Sequence, residues 1–199
     1  MSTLSTTNLK NPSSGSNNIV LAADGSTTIT TLTGTTITGT SVRGGITSGT
    51  AVASTSGTSI DFTSIPSWVK RVTVMLNGVS TNGTSLKQVQ LGNGSVVTTG
   101  YVGTASIFNS ITEINPTTGF TLGYSNAAVD IIYAQMIITT VSSNVWIASV
   151  MFPIASGGSW VGTAFTGGVT LSGTLDRVRI TTVNGTDTFD AGSINIMYE

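Results

Sequence analysis

The chain has 199 residues, of which 39% are hydrophobic and only 8% charged, and its formal net charge is −1. It contains no Cys and no His, which excludes a disulfide framework, a thiolate metal site and a Ser–His nucleophile pair. Few charges that nearly cancel also argue against a phosphate-neutralising surface, so nucleic acid is not an expected partner. Mean hydropathy is +0.31, and Ser and Thr fill roughly a third of the positions. Together with abundant β-branched residues, this describes an all-β protein rich in turns rather than a disordered chain. The N-terminus lacks a basic stretch followed by an apolar one, so no cleaved signal peptide is expected, and no membrane-spanning segment is expected either.

Composition changes near residue 50, giving expected regions 1–50 and 51–199. Residues 1–50 are nearly all Ser, Thr, Gly and Asn, with sparse aliphatics from Leu4 to Ile46. So few buried side chains cannot offset the entropy of ordering that much backbone, so an ordered segment needs surface from other chains. Leu32-Thr33-Gly34, Ile37-Thr38-Gly39 and Val42-Arg43-Gly44 repeat an aliphatic-x-Gly triplet every five residues. An odd period sends successive aliphatics to opposite faces of a flat strand, so each repeat must bend or the ribbon must twist. Two readings stand: a flexible linker, or a thin intertwined β-shaft with Ile29, Leu32, Ile37 and Val42 meeting their copies on a trimer axis. A single-chain β-helix would need more coils than three repeats supply.

Beyond residue 50 the strands follow in order. Residues 69–76 alternate, with Val72, Val74 and Leu76 on one face, and Asn77-Gly78 ends the run. Thr81-Asn82-Gly83-Thr84 is a further turn. Residues 86–91 form a strand in which Lys87, Val89 and Leu91 oppose Leu86 and Gln88, and Asn93-Gly94 turns it back. Residues 129–141 and 145–152 are apolar on both faces, which places that hairpin inside a sandwich or at a subunit interface. The stretch 157–168 is framed by glycines and reads as a flexible loop carrying Trp160. The last hairpin is expected between 175–183 and 193–198 across Asn184-Gly185, with Val178 and Ile180 inward and Arg177 and Arg179 outward. Eight to ten such strands, a rough count, suggest an antiparallel β-sandwich, jelly-roll-like in character.

The run from Gly49 through Ile60-Asp61-Phe62 to Ile65-Pro66-Ser67-Trp68-Val69-Lys70-Arg71-Val72 resembles a module of tailed-bacteriophage and prophage structural proteins, the tail-fibre-like family. So does Leu175-Asp176-Arg177-Val178-Arg179-Ile180 through Asn184-Gly185-Thr186-Asp187 to Asn195. Leu9-Lys10-Asn11-Pro12 through Ile19-Val20-Leu21 is similar to the opening of phage fibre-like proteins. The resemblance implies a homotrimeric virion component assembled in the host cytoplasm. Its N-terminal arm, with Leu4, Leu9, Ile19 and Leu21, would dock on tail, adaptor or capsid proteins, and its β-domain would face outward to the host. A tail fibre is the first expectation; a capsid decoration protein or head fibre is the alternative. The family's pattern carries no catalytic motif, so no enzyme activity, cofactor or metal is expected.

Candidate chemistry is thin. Asp187 and Asp190 are the closest carboxylate pair, which a glycan-cleaving spike would use as acid and base, but a turn in which they cap backbone amides explains them equally. Lys70 and Lys87 are the partners a Ser–Lys nucleophile pair would need, against the simpler reading of solvated strand residues. Arg177 and Arg179 are surface charge, or pair with Asp176 or Asp130 of a neighbouring copy. Trp68 is expected to plug the sandwich end and Trp146 to lie in the core. Flat rings bind sugars, so Trp160, Phe165, Tyr124 and Tyr101 are the candidates for recognising a host-surface glycan.

Overall fold

The computed structural model describes residues 8–9, 13, 19–21, 27–28, 45–108, 113–124 and 127–199. The chain divides into two compact units, Met1–Arg43 and Gly44–Glu199. In the first, β1 (Asn8–Leu9), β2 (Ile19–Leu21) and β3 (Thr27–Thr28) form an antiparallel sheet in the order β1-β2-β3. Leu9, Ile19 and Leu21 lie in these strands. Leu4 and the axis residues Ile29, Leu32, Ile37 and Val42 lie outside the described residues.

The second unit is all-β among its described residues. Its strands are β4 (Thr47–Ser48), β5 (Val52–Ala53), β6 (Ser59–Thr63), β7 (Arg71–Thr81), β8 (Lys87–Asn93), β9 (Ser95–Val96) and β10 (Val102–Ile107). They continue with β11 (Glu113–Ile114), β12 (Phe120–Thr121), β13 (Ile131–Ser142), β14 (Val145–Ser156), β15 (Ser159–Thr170), β16 (Arg177–Thr182) and β17 (Phe189–Tyr198). The larger sheet runs β11-β10-β15-β14-β13-β7-β17-β4, with β5 also on β17; the smaller runs β12-β8-β16-β6, with β9 on β8. All pairs are antiparallel.

One apolar core joins the sheets. Val72, Val74, Ile132, Met136 and Ile138 of the larger sheet and Val89, Leu91, Val178 and Ile180 of the smaller are all fully buried members of it. Each such side chain contributes about 1.5–3 kcal/mol of transfer free energy. The inward assignments of Val72, Val74, Val178 and Ile180 follow from alternation, and Trp146 is buried at 2% exposure. The sheets and their shared core make the sandwich that the composition and turn spacing suggest.

Four local expectations are corrected. Asn77-Gly78 does not end its strand: β7 runs on to Thr81, with a bulge between Leu76 and Val79 toward β13 and between Asn77 and Ser80 toward β17, and Gly78 at φ 66°. The 157–168 stretch is not a loop. Gly157 and Gly158 make the tight turn, both at positive φ, and β15 follows as a full strand. Its inner glycines serve close backbone approach: a Cβ on Gly167 would lie 2.5 Å from the Val102 carbonyl, and one on Gly103 of β10 would lie 2.6 Å from that of Thr166. Residues 175–183 and 193–198 do not pair as a hairpin. β16 sits between β6 and β8 in the smaller sheet while β17 joins β7 in the larger, so the Asn184-Gly185 turn carries the chain across the sandwich edge. Trp68 is not the plug; it is 53% exposed, while Ile65 and Val69 are the buried members of that segment.

The second unit begins at Gly44, and its first strands, β4 and β5, add to the last strand. Gly49 N–H donates to the Ile196 carbonyl at 2.8 Å and Ser54 N–H to that of Gly192 at 2.9 Å.

Candidate functional site

The larger sheet buries one face and presents the other. Along β14 the alternation is strict: Trp146, Ala148, Val150, Phe152 and Ile154 point into the core, whereas Ile147, Ser149, Met151 and Pro153 point out. Along β13, Ile131, Tyr133 and Ile137 point out, each more than a third exposed. A hairpin apolar on both faces therefore has only one of them covered by the described residues of its own unit, which argues against the sandwich-interior alternative and leaves an open apolar face in that unit. Val102 of β10, 68% exposed, and Trp160 of β15, 65% exposed, extend that face sideways. Apart from Arg71, no residue of β10, β15, β14, β13 or β7 is charged, and Arg71 pairs with Glu199.

Trp160 sits immediately after the Gly157-Gly158 turn, opposite Ala155. Its ring lies 6.3 Å from that of Tyr133 at an interplanar angle of 43°, so two exposed aromatics make a tilted pair at the hairpin end. Tyr124 is half-buried beside Asp130, Ile154 and Val161, which line a cavity of about 220 Å³. The other two ring candidates are corrected. Tyr101 is 2% and Phe165 3% exposed. Both pack on Phe120, with ring centroids 4.9 and 5.9 Å away, Phe165 from the inward side of β15 and Tyr101 from the residue before β10. The Tyr101 hydroxyl accepts the Leu91 N–H at 2.7 Å, and burial pushes its pKa up to about 12.

The acids are engaged in structural contacts. Asp187 accepts from the Ser85 N–H at 2.8 Å and from the Asn184 amide at 2.6 Å, which holds its carboxyl below the ordinary value. Asp190 accepts from the Ser80 hydroxyl. Asp187 thus caps a backbone amide, as the capping reading has it, whereas Asp190 ties β17 to a side chain of β7. Arg179 makes a two-pronged pair with Asp61 at 2.7 and 3.0 Å, and Arg177 bonds its neighbour Asp176 at 2.8 Å, so both find partners within the chain. The Arg177 guanidinium lowers the Asp176 pKa.

Lys70 is exposed, but Lys87 is not the solvated residue expected: it is fully buried. Burial lowers its pKa, and the fields of Asp130, Asp187 and Asp190 act in the opposite sense. Asp130 is itself 2% exposed and accepts the Ala127 N–H at 3.0 Å. The signal was in the strand: Lys87 shares its alternation with Val89 and Leu91, both at 0% exposure. The fields of these three carboxylates offset part of the cost of burying the cation.

Compared with known proteins, the chain matches no family model, no curated protein and no solved structure.

Proposed function

We propose that this chain is a non-enzymatic structural subunit of a bacteriophage particle: a homotrimeric tail fibre whose β-sandwich head contacts the host surface. The resemblance of the 49–72 and 175–195 runs to phage fibre modules supplies the virion setting, with the arm through Leu4, Leu9, Ile19 and Leu21 as the part that docks on other virion proteins.

One observation carries the binding role: Trp160 and Tyr133 stand exposed and paired at the end of the β14–β15 hairpin, on a sheet face poor in charge. Such a pair offers a hydrophobic platform for the C–H face of a sugar, with Tyr133 Oη adding a polar edge. The engagement of Asp61 and Asp176 in ion pairs, of Asp130 and Asp187 with backbone amides and of Asp190 with the Ser80 hydroxyl supports binding over hydrolysis. A weak site repeated on three chains, and on several fibres, gains apparent affinity through effective concentration. An interface with few charges is also little affected by salt.

Trp160→Ala removes an exposed ring, so the head folds unchanged. Attachment of the purified protein to the host bacterium is expected to fall by more than about ten-fold, as for a central aromatic anchor. Undiminished attachment by a folded variant would remove this site from the account.

A further inference from the structure

We infer that the outer face of the larger sheet around Ile147 and Met151, away from the Trp160–Tyr133 pair at its end, is an interface between copies of this chain, and that its occupant is the rim of the next copy's sheet, a head-to-tail contact that can close in a trimer. The inference rests on the multi-copy part of the reading above and is independent of its virion part. It adds an interface on the β-sandwich unit itself, distinct from the arm residues expected on a trimer axis.

Size is the first argument. A residue in a sheet occupies about 16 Å² of its plane, from a rise of about 3.3 Å and a strand spacing of about 4.8 Å. β13, β14 and β15 have 12 residues each, β7 has 11 and β10 has 6. The face therefore spans on the order of 850 Å², against about 800 Å² per partner in a stable interface.

Chemistry is the second. Ile131, Ile137, Ile147 and Met151 are 36%, 40%, 50% and 72% exposed, with Tyr133 and Gln135 between the first two and Ser149 between the last two. Scarcity of charge lets the face meet its own copy without like-charge repulsion, whereas an acidic, basic or lipid-headgroup partner would find nothing to pair with. Relief is the third. Two shallow hollows, about 520 Å³ beside Val102 and Ile147 and about 320 Å³ beside Ile137 and Met151, lie among the protruding side chains, so knobs of one copy have hollows to enter on another.

The absence of Cys allows a direct test in the full chain. Ser149→Cys places one thiol in the middle of the face, and Thr63→Cys places a control thiol on the exposed edge strand of the smaller sheet. In the assembled protein, maleimide labelling at position 149 is expected to run at least about ten-fold slower than at position 63, and to recover on dilution. The double variant Ile147→Lys/Met151→Lys is expected to keep its strand circular dichroism and lose mass in sedimentation. Equal labelling at the two positions in a multi-copy protein, or an unchanged mass for the folded double variant, overturns the inference and leaves the arm as the assembling element. A wild-type protein of single-chain mass overturns the inference and the multi-copy reading together. Capture of a bacterial glycan by the Ile147/Met151 region, abolished in the double variant while copy number stays unchanged, also overturns it.

Discussion

Gly192→Ala is expected to destabilise the protein by about 3–5 kcal/mol, a large part of the total stability of an ordinary domain. Gly192 lies in β17 between Ala191 and Ser193, where the register with β7 shifts, and its φ is 94°. That angle is outside the region L-residues adopt without strain. The new methyl would also press on the backbone of the opposing bulge: it would lie 2.6 Å from the Asn77 carbonyl oxygen and against that of Gly78. Backbone cannot step aside as a side-chain tip can. Gly94→Ala separates the two causes, since Gly94 has φ 78° but nothing within 4 Å of its added Cβ. Its cost is expected to be about 1 kcal/mol. Urea unfolding of both variants measures the difference, and equal losses would show that the two facing bulges do not interlock as described.

Phe120→Ala is expected to cost about 3–5 kcal/mol, the range for deleting a buried aromatic side chain. Phe120 is fully buried, meets Tyr101 edge-on at 85° and packs on Phe165. It belongs to the smaller sheet, Phe165 to the larger, so the ring is a direct bridge across the sandwich. Tyr101 reports on the same contact. Burial holds its pKa at about 12, and water admitted by the missing ring is expected to bring it down toward its unperturbed value of about 10. Alkaline absorbance titration reads that shift. A variant with wild-type stability and an unmoved Tyr101 titration would mean that the aromatic cluster does not couple the sheets.

How far the sequence discloses this fold depends on whether the pattern is local. Alternation in 69–76 and 177–182 places Val72, Val74, Val178 and Ile180 correctly, because an apolar face must turn away from water whatever the topology. The turns at Asn93-Gly94 and Asn184-Gly185 follow from positive φ, at 78° and 68° for the two glycines. Topology is not local. Nothing in residues 175–198 says that β16 and β17 part company into different sheets, since either partner offers the same backbone hydrogen bonds. β15 escapes detection because Gly162, Gly167 and Gly168 look like loop residues, although two of the three sit against neighbouring groups that a side chain would strike.

The site was half visible. Trp160 is picked out by its glycine frame, and it is indeed exposed. Tyr101 stands beside Gly100, and Phe165 lies near Gly162 and Gly167, yet both are buried; a neighbouring glycine frees the backbone but does not set which way a ring points. The Tyr133–Trp160 pair joins residues from β13 and β15, which only the β13-β14-β15 order brings together. Lys87 shows the converse. Its alternation with Val89 and Leu91 indicates burial, and only the general tendency of lysine toward solvent hides it.

The claim on which the functional reading depends is that the chain works as an assembly of copies. Sedimentation equilibrium of the full 199-residue chain at micromolar concentration tests it most directly. The account predicts a species of three times the 20.3 kDa chain mass. A well-folded species of one chain mass, unchanged up to tens of micromolar, would contradict it.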